Sequence, residues 1–252
     1  MTDLDDTRAP LLDHLLELRR RLLYALASVA ICFGICLYFA RSIFAFLVHP
    51  LLQAGQSKII NTQIFGGFLV EIKIAFFAGV MISFPIIANQ IWQFVAPGLY
   101  RNEKRALLPF LLATPLLFLA GASLAYFVAI PIALKFLLGF QGDLGGVEQQ
   151  ALPDVNSYLG FVMQFLFGFG LSFLLPVLLM LLERAGIVTR QQLVAARRYA
   201  IVGAFAIAAV LTPPDVGSQL LLAIPLVLLY ELALVGIWFT ERKRNNQKPE
   251  AV

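Results

Sequence analysis

The chain has 252 residues, 60% of them hydrophobic and only 13% charged, against roughly a quarter charged in soluble globular chains. Its 19 Lys and Arg outnumber 15 Asp and Glu, for a formal net charge of +4. This is not the composition of a soluble domain, and so small a net charge is poor evidence for nucleic-acid binding.

Residues 9–21, APLLDHLLELRRR, predict a short surface helix leading into a first membrane span. Leu11, Leu15, Leu18 and Leu22 fall on one stripe. Asp13 and Glu17 lie on another face, and Glu17 precedes Arg21 by four residues, a favourable helical pair. An interfacial helix with a solvated ion pair accounts for this pattern by itself. The uncharged run 22–40 has no clear small-residue cleavage site and reads as a permanent span rather than a signal peptide. Cys32 and Cys36 share one face inside it and read as packing residues, since a metal site needs more ligands. Residues 41–66 form a first outer segment, broken by Pro50 and followed by Gly55, which predicts a cap-like loop with a short helix.

The second span is expected at 68–92, with Glu71 and Lys73 near its outer edge. The loop PGLYRNEKR at 97–105 leads to a third span at 106–134, which carries Pro109, Pro115 and Pro131. Pro131 is expected to mark where that span leaves the membrane. A second outer segment, 139–157, is rich in Gly and acid, and a fourth span follows at 157–182 with Pro176 inside it. The fifth span, 199–212, has only 14 residues, about 21 Å of helix against a hydrocarbon core of about 30 Å. It either thins the bilayer or is shielded by partners, unless QLVAARRY extends the helix. A short turn, LTPPDVGSQ at 211–219, precedes the sixth span at 218–239, which holds Pro225 and Glu231, and a basic tail occupies 241–252. Prolines bend helices. The expectation is therefore an all-α polytopic membrane domain over 1–252, its six spans bent and arranged as a curved open wall.

Six spans put both termini on one side. That side collects fifteen Lys and Arg and the other only Arg41, Lys58, Lys73 and Lys135, a strong positive-inside bias that predicts cytoplasmic termini. The 97–105 loop then faces the cytoplasm too.

No GxxxxGK[ST], HExxH or GxSxG pattern occurs, and His14 and His49 lie outside the expected spans. Neither an enzyme, nor a metal site, nor a cofactor is expected. Intramembrane ionisable residues mark function by default. Glu231 is the clearest one, with Arg242 or Arg244 as candidate partners. Gln90, Gln93, Gln164 and Ser172 are explained by hydrogen bonds between helices. Glu103 has two readings. It sits in the first turn of the third helix behind an Asn102 cap, or it is an exposed anionic hook for a cationic ligand, with Glu17 on the same side.

HLLELRRRL at 14–22, Pro50, SFPIIANQIWQFVAPGLYRNEKR at 83–105, LTPPDVGSQ at 211–219 and AIPLVLLYE at 223–231, in this order, carry a resemblance. The chain resembles the TatC family, the multi-spanning core subunit of the twin-arginine protein translocase, over nearly its whole length. The resemblance implies recognition of folded cargo through a signal bearing paired arginines, at the cytoplasmic face of the bacterial inner membrane. By motif position, Glu17, Arg19, Phe94 and Glu103 are the matching signal-peptide residues, with Glu103 touching the arginine pair. It also implies TatB-like and TatA-like single-span partners near Thr212 and Gln219, with Pro50, Asp215 and Glu231 as further structural or functional positions. A homo-oligomer within a hetero-oligomeric complex, driven by the proton-motive force, is implied as well. One departure stands out: Leu174 occupies a position midway along the fourth span where the family often has Glu or Gln. The rival reading is a small-solute secondary transporter, a class that usually has internal repeats. No convincing repeat relates 1–126 to 127–252.

Overall fold

The computed structural model describes residues 8–99, 104–139, 141–143, 148–149, 152–212 and 216–246, with side chains over 15–94, 110–139, 141, 152–212 and 216–242. Glu103, Asn102 and Asp215 lie outside the described residues, as does the end of the basic tail. Ten α-helices occur in chain order among the described residues: α1 (Arg8–Tyr38), α2 (Ala40–Gln53), α3 (Gly66–Leu99), α4 (Lys104–Leu124), α5 (Ile130–Leu138), α6 (Val155–Ser172), α7 (Leu175–Arg184), α8 (Arg190–Ala195), α9 (Arg197–Leu211) and α10 (Val216–Asn246). A five-residue π-helical turn, Ala125–Ala129, joins α4 to α5. The two-residue strands β1 (Gly142–Asp143) and β2 (Glu148–Gln149) pair antiparallel.

Among the described residues, five stretches are long and apolar enough to cross a membrane: Leu15–Tyr38, Gly66–Phe94, Phe110–Leu138, Val155–Arg184 and Val216–Arg242. The expected fifth span is α9, whose 15 residues fall below that length. QLVAARRY is helical on both sides of Ala196, where φ −83° and ψ 0° separate α8 from α9.

Several boundaries differ from those read in the sequence. Among the described residues, no boundary separates an interfacial helix from the first span: α1 runs unbroken for 31 residues through Arg19, Arg20 and Arg21. Pro50 does not break its helix but lies inside α2, fully buried. Pro131 does not end the third span. It stands in the first turn of α5, directly after the π-helical turn, in a stretch whose backbone stays helical through Ala129 and Ile130. Pro176 likewise opens α7, so the fourth span is interrupted at Phe173 and Leu174. The helix α10 continues to Asn246, into the stretch read as tail.

Helix ends follow local chemistry. Gly55 (φ +93°) and Gly186 (φ +73°) close α2 and α7. In each, the glycine N–H and the next residue's N–H bond back to the last turn: Gly55 to Leu52 and Gln56 to Leu51, Gly186 to Glu183 and Ile187 to Leu182. That double bond pattern needs a left-handed residue, which glycine supplies without a Cβ clash. Thr189 and Gln192 form a reciprocal capping box on α8.

The chain divides into two units, Met1–Phe46 with Gln63–Pro115, and Leu47–Thr62 with Leu116–Val252. Lipid is as apolar as a leucine side chain, so helices in it are held by close packing and satisfied polar groups rather than by burial alone. In the first unit α1 lies against α3. A Cβ on Gly79 would fall 2.9 Å from the Phe33 backbone nitrogen, so only glycine permits this approach. Phe33 meets Phe76 edge-on at 6.3 Å, and Cys36 is buried as a packing residue. In the second unit Phe118, Phe165 and Phe169 are fully buried, with Phe165 and Phe169 stacked at 5.8 Å.

Candidate functional site

Within the first unit, α1 and α3 enclose a groove of about 510 Å³ lined by Leu16, Glu17, Arg20, Arg21, Tyr24, Gln90 and Gln93. The α1 residues recur at helical spacing and form one stripe, which 3.6 residues per turn requires. Gln90 and Gln93, three apart on α3, face it. Arg21 donates from Nε to Oε1 of Glu17 at 2.9 Å, and its Nη2 reaches the same oxygen. Its third edge, Nη1, donates to Oε1 of Gln93 at 2.6 Å, and Gln93 Nε2 donates to Asn89 Oδ1 at 3.1 Å. A carboxylate, a guanidinium and two amides thus form one chain across two helices. Arg20 lies over the Tyr24 ring at 5.7 Å and donates to its hydroxyl at 3.3 Å.

The expected pair Glu17–Arg21 is present, and Gln93 bonds between helices as its position suggested. The pair is not a freely solvated one: the side chains of Arg21 and Glu17 are 20% and 34% exposed. What sequence reasoning missed is that Arg21, besides its pair with Glu17, is the partner of Gln93. The available signal was two glutamines at i, i+3 near the end of an apolar span. Arg19 is exposed and is not among the residues lining the groove. Two residues from Glu17, it points about 200° away around the helix. Phe94 is half-buried beside Gln93.

Glu103 belongs to the segment between α3 and α4. Those helices are tied together about three turns to either side of it: Trp92 Nε1 donates to Thr114 Oγ1 at 2.8 Å, and Thr114 donates to the Phe110 carbonyl at 2.7 Å. The first bond is indole to hydroxyl and leaves neither buried group unmatched.

In the second unit, Glu231 pairs with Arg197 at the start of α9, at 2.8 Å, a partner other than the tail arginines read as its candidates; the Arg244 side chain lies outside the described residues. Arg242 instead lies over the Trp238 ring at 5.6 Å. Glu231 reaches Arg197 because α10 packs alongside α9, a neighbour that the linear order of charges does not reveal. Thr212 is buried and donates to the Ala208 carbonyl at 2.8 Å; Gln219 Nε2 donates to the Phe205 carbonyl at 3.2 Å. Gln164, on α6, donates to the Val210 carbonyl at 3.1 Å, the helix-to-helix bond expected of it. Leu174 lies in the turn between α6 and α7. No group of three or more His, Cys, Asp or Glu fit to hold a metal occurs among the described residues.

The family model described as "Sec-independent protein translocase protein (TatC)" matches residues 13–225. The chain is 43% identical over 245 residues to the Sec-independent protein translocase protein TatC of Magnetococcus marinus, covering 96% of this chain and 89% of that one. It is 42% identical over 243 residues to the TatC of Aquifex aeolicus, covering 95% and 99%, and 42% identical over 238 residues to that of Escherichia coli K12, covering 94% and 89%. Among solved structures it is similar to a crystal structure of the twin-arginine translocase receptor TatC, with a TM-score of 0.75 and 42% identity over 88% of this chain and 96% of that one. A second such structure, in the detergent DDM, gives a TM-score of 0.77 and 41% identity over 88% and 98%. None of these likenesses supports a small-solute transporter.

Proposed function

The chain belongs to the TatC family of Sec-independent protein translocase proteins, and from that premise we propose that its α1–α3 groove receives the paired arginines of a cargo signal. The protein is a twin-arginine translocase subunit and a multi-pass membrane protein. One observation carries the proposed site: a partly buried carboxylate, Glu17, stands in a polar groove between two otherwise apolar helices. Glu103, on the short segment before α4, supplies the second carboxylate. Each charge-assisted bond to a guanidinium is worth about 1.5–3 kcal/mol when desolvated, and less in contact with water. Phe94 offers the ligand an aromatic surface, and Arg19 on the far side of α1 keeps that face from competing for the same cations.

The reading is non-enzymatic. Recognition takes place at the cytoplasmic face of a bacterial inner membrane, and the fifteen-to-four bias of basic residues supports cytoplasmic termini. The 1–252 domain acts with TatB-like and TatA-like single-span partners near Thr212, Asp215 and Gln219, in a complex containing several copies of this chain. Passage of folded cargo draws on the proton-motive force.

A photo-crosslinker placed at 94 tests the site in membranes that contain a twin-arginine precursor. Crosslinking is expected there, and Glu17→Ala or Glu103→Ala should abolish it while assembly with partners persists. Undiminished crosslinking in both variants would discard the site.

A further inference from the structure

Arg21 poses a question that signal binding leaves open: the groove's own carboxylate is already paired with a guanidinium. Two edges of that guanidinium, Nε and Nη2, converge on Oε1 of Glu17, while Nη1 is held by Gln93 at 2.6 Å. Among the described residues, the hydrogen bonds that Glu17 accepts all end on Oε1 and none on the other oxygen, Oε2. Glu17 therefore presents a carboxylate that is charge-neutralised but has one acceptor open. Gln93 in turn is braced by Asn89, so Arg21 is held from both sides rather than swinging on a long side chain.

We propose that Arg21 is a specificity-determining residue, a resident guanidinium that screens Glu17 so that the groove accepts arginine and rejects lysine. The proposal rests on the reading of this groove as the signal site. A lysine ammonium is a compact, strongly hydrated point charge and is drawn chiefly by net charge. It meets a neutral pair and the repulsion of Arg21. A guanidinium is planar and weakly hydrated, and it directs a donor edge at Oε2 without requiring a net negative charge. Rejection is thus built as a penalty against the wrong ligand rather than as added contacts to the right one. Gln93 is the positioning residue that keeps Arg21 in place.

The test uses the full-length chain in detergent micelles and two labelled synthetic signal peptides, identical except for an Arg-Arg or a Lys-Lys pair, with fluorescence anisotropy giving each Kd. Arg21→Gln leaves Glu17 with its full charge. The lysine peptide should then tighten about tenfold and the arginine peptide by a smaller factor, so that the preference between them collapses. Gln93→Leu loosens Arg21 without removing it and should narrow the preference by about two- to threefold. An unchanged preference in Arg21→Gln, or weaker arginine binding with no gain for lysine, overturns the proposal. If Arg21→Gln does not fold, an unchanged preference in Gln93→Leu overturns it instead. Glu17→Gln separates the two levels: if it binds both peptides like the parent chain, the groove is not the signal site and the underlying reading falls with it.

Discussion

The Tyr158 hydroxyl donates to the Leu47 carbonyl at 2.8 Å across 111 residues of sequence, tying the first turn of α6 to the middle of α2. Leu47 precedes Pro50 by three residues, in a helix whose bonding ladder the proline interrupts. Tyr158 and Leu47 are both buried, so the hydroxyl has no water to turn to. Tyr158→Phe keeps the ring and removes the bond. It should lower stability by about 0.5–1.5 kcal/mol, the range for one hydrogen bond between helices. Thermal unfolding of the detergent-solubilised chain checks this; an unchanged melting temperature would mean that α2 is held by packing alone.

Asp154 links the same two segments at their ends. Its Oδ2 accepts the N–H groups of Asn156 and Ser157 as the cap of α6, while Oδ1 accepts the hydroxyl and N–H of Thr62 at 2.8 and 3.2 Å. Beside it the Val155 N–H donates to the Ile60 carbonyl at 2.9 Å. The bond from the Thr62 hydroxyl, above all, favours the ionised carboxyl and holds its pKa below the ordinary carboxylate value. A depressed folded pKa means that the stabilisation is present above the unfolded carboxylate pKa and is lost as pH falls through the folded one. Melting temperature should therefore drop on acidification below about pH 4. Asp154→Asn should melt lower at neutral pH and lose that part of the pH dependence. A variant whose pH profile overlays that of the parent chain would exclude Asp154 as the titrating group.

The spans were legible because charge is so unevenly distributed that long uncharged runs stand out, and Gln93 and Gln164 were legible as bonds between helices. What escaped was continuity. Arg19, Arg20 and Arg21 suggested a helix boundary, yet α1 passes through them, because Arg21 pairs with Glu17 and Arg20 rests on Tyr24. Proline was misread wherever position within the helix decides its effect: Pro131 and Pro176 open helices, and Pro50 is tolerated inside one. The break at Ala196 has no proline or glycine to announce it. Glu231 was legible as a residue in need of a partner, but the partner depends on which helix lies alongside, information that resides in packing rather than in spacing.

That partner, Arg197, makes a bond of 2.8 Å with Glu231, and the two side chains are 51% and 42% exposed. Screening at such exposure limits an ion pair to about 0.2–1 kcal/mol. Nearby, Tyr230 donates to the Leu193 carbonyl at 2.6 Å from within a cluster of Leu193, Tyr230, Leu234 and Ile237. The cluster, rather than the ion pair, should dominate. Glu231→Ala and Arg197→Ala should each cost less than about 1 kcal/mol, and the double variant no more than the larger single. A double-mutant cycle on thermal unfolding reads this directly, and additive losses would show that the two side chains act separately.

Two glycines set how closely the second unit packs. A Cβ on Gly121 would meet the Phe169 carbonyl oxygen at 2.5 Å and Phe173 Cγ at 2.8 Å, and one on Gly170 would meet the Phe118 ring at 2.6 Å. Phe118 is itself fully buried, so neither the backbone at Phe169 nor the ring at Phe118 has space into which to retreat. Gly121→Ala and Gly170→Ala should each cost about 1–3 kcal/mol through overpacking. Gly121 should be the worse of the two, because a helix backbone yields less readily than a ring. Gly203, in α9, has nothing within 4 Å of the corresponding position, so Gly203→Ala should be neutral or stabilising by up to about 1 kcal/mol. Comparing the three melting temperatures separates close packing from helix propensity. A Gly121→Ala chain as stable as its parent would mean that α4 and α6 do not need this approach.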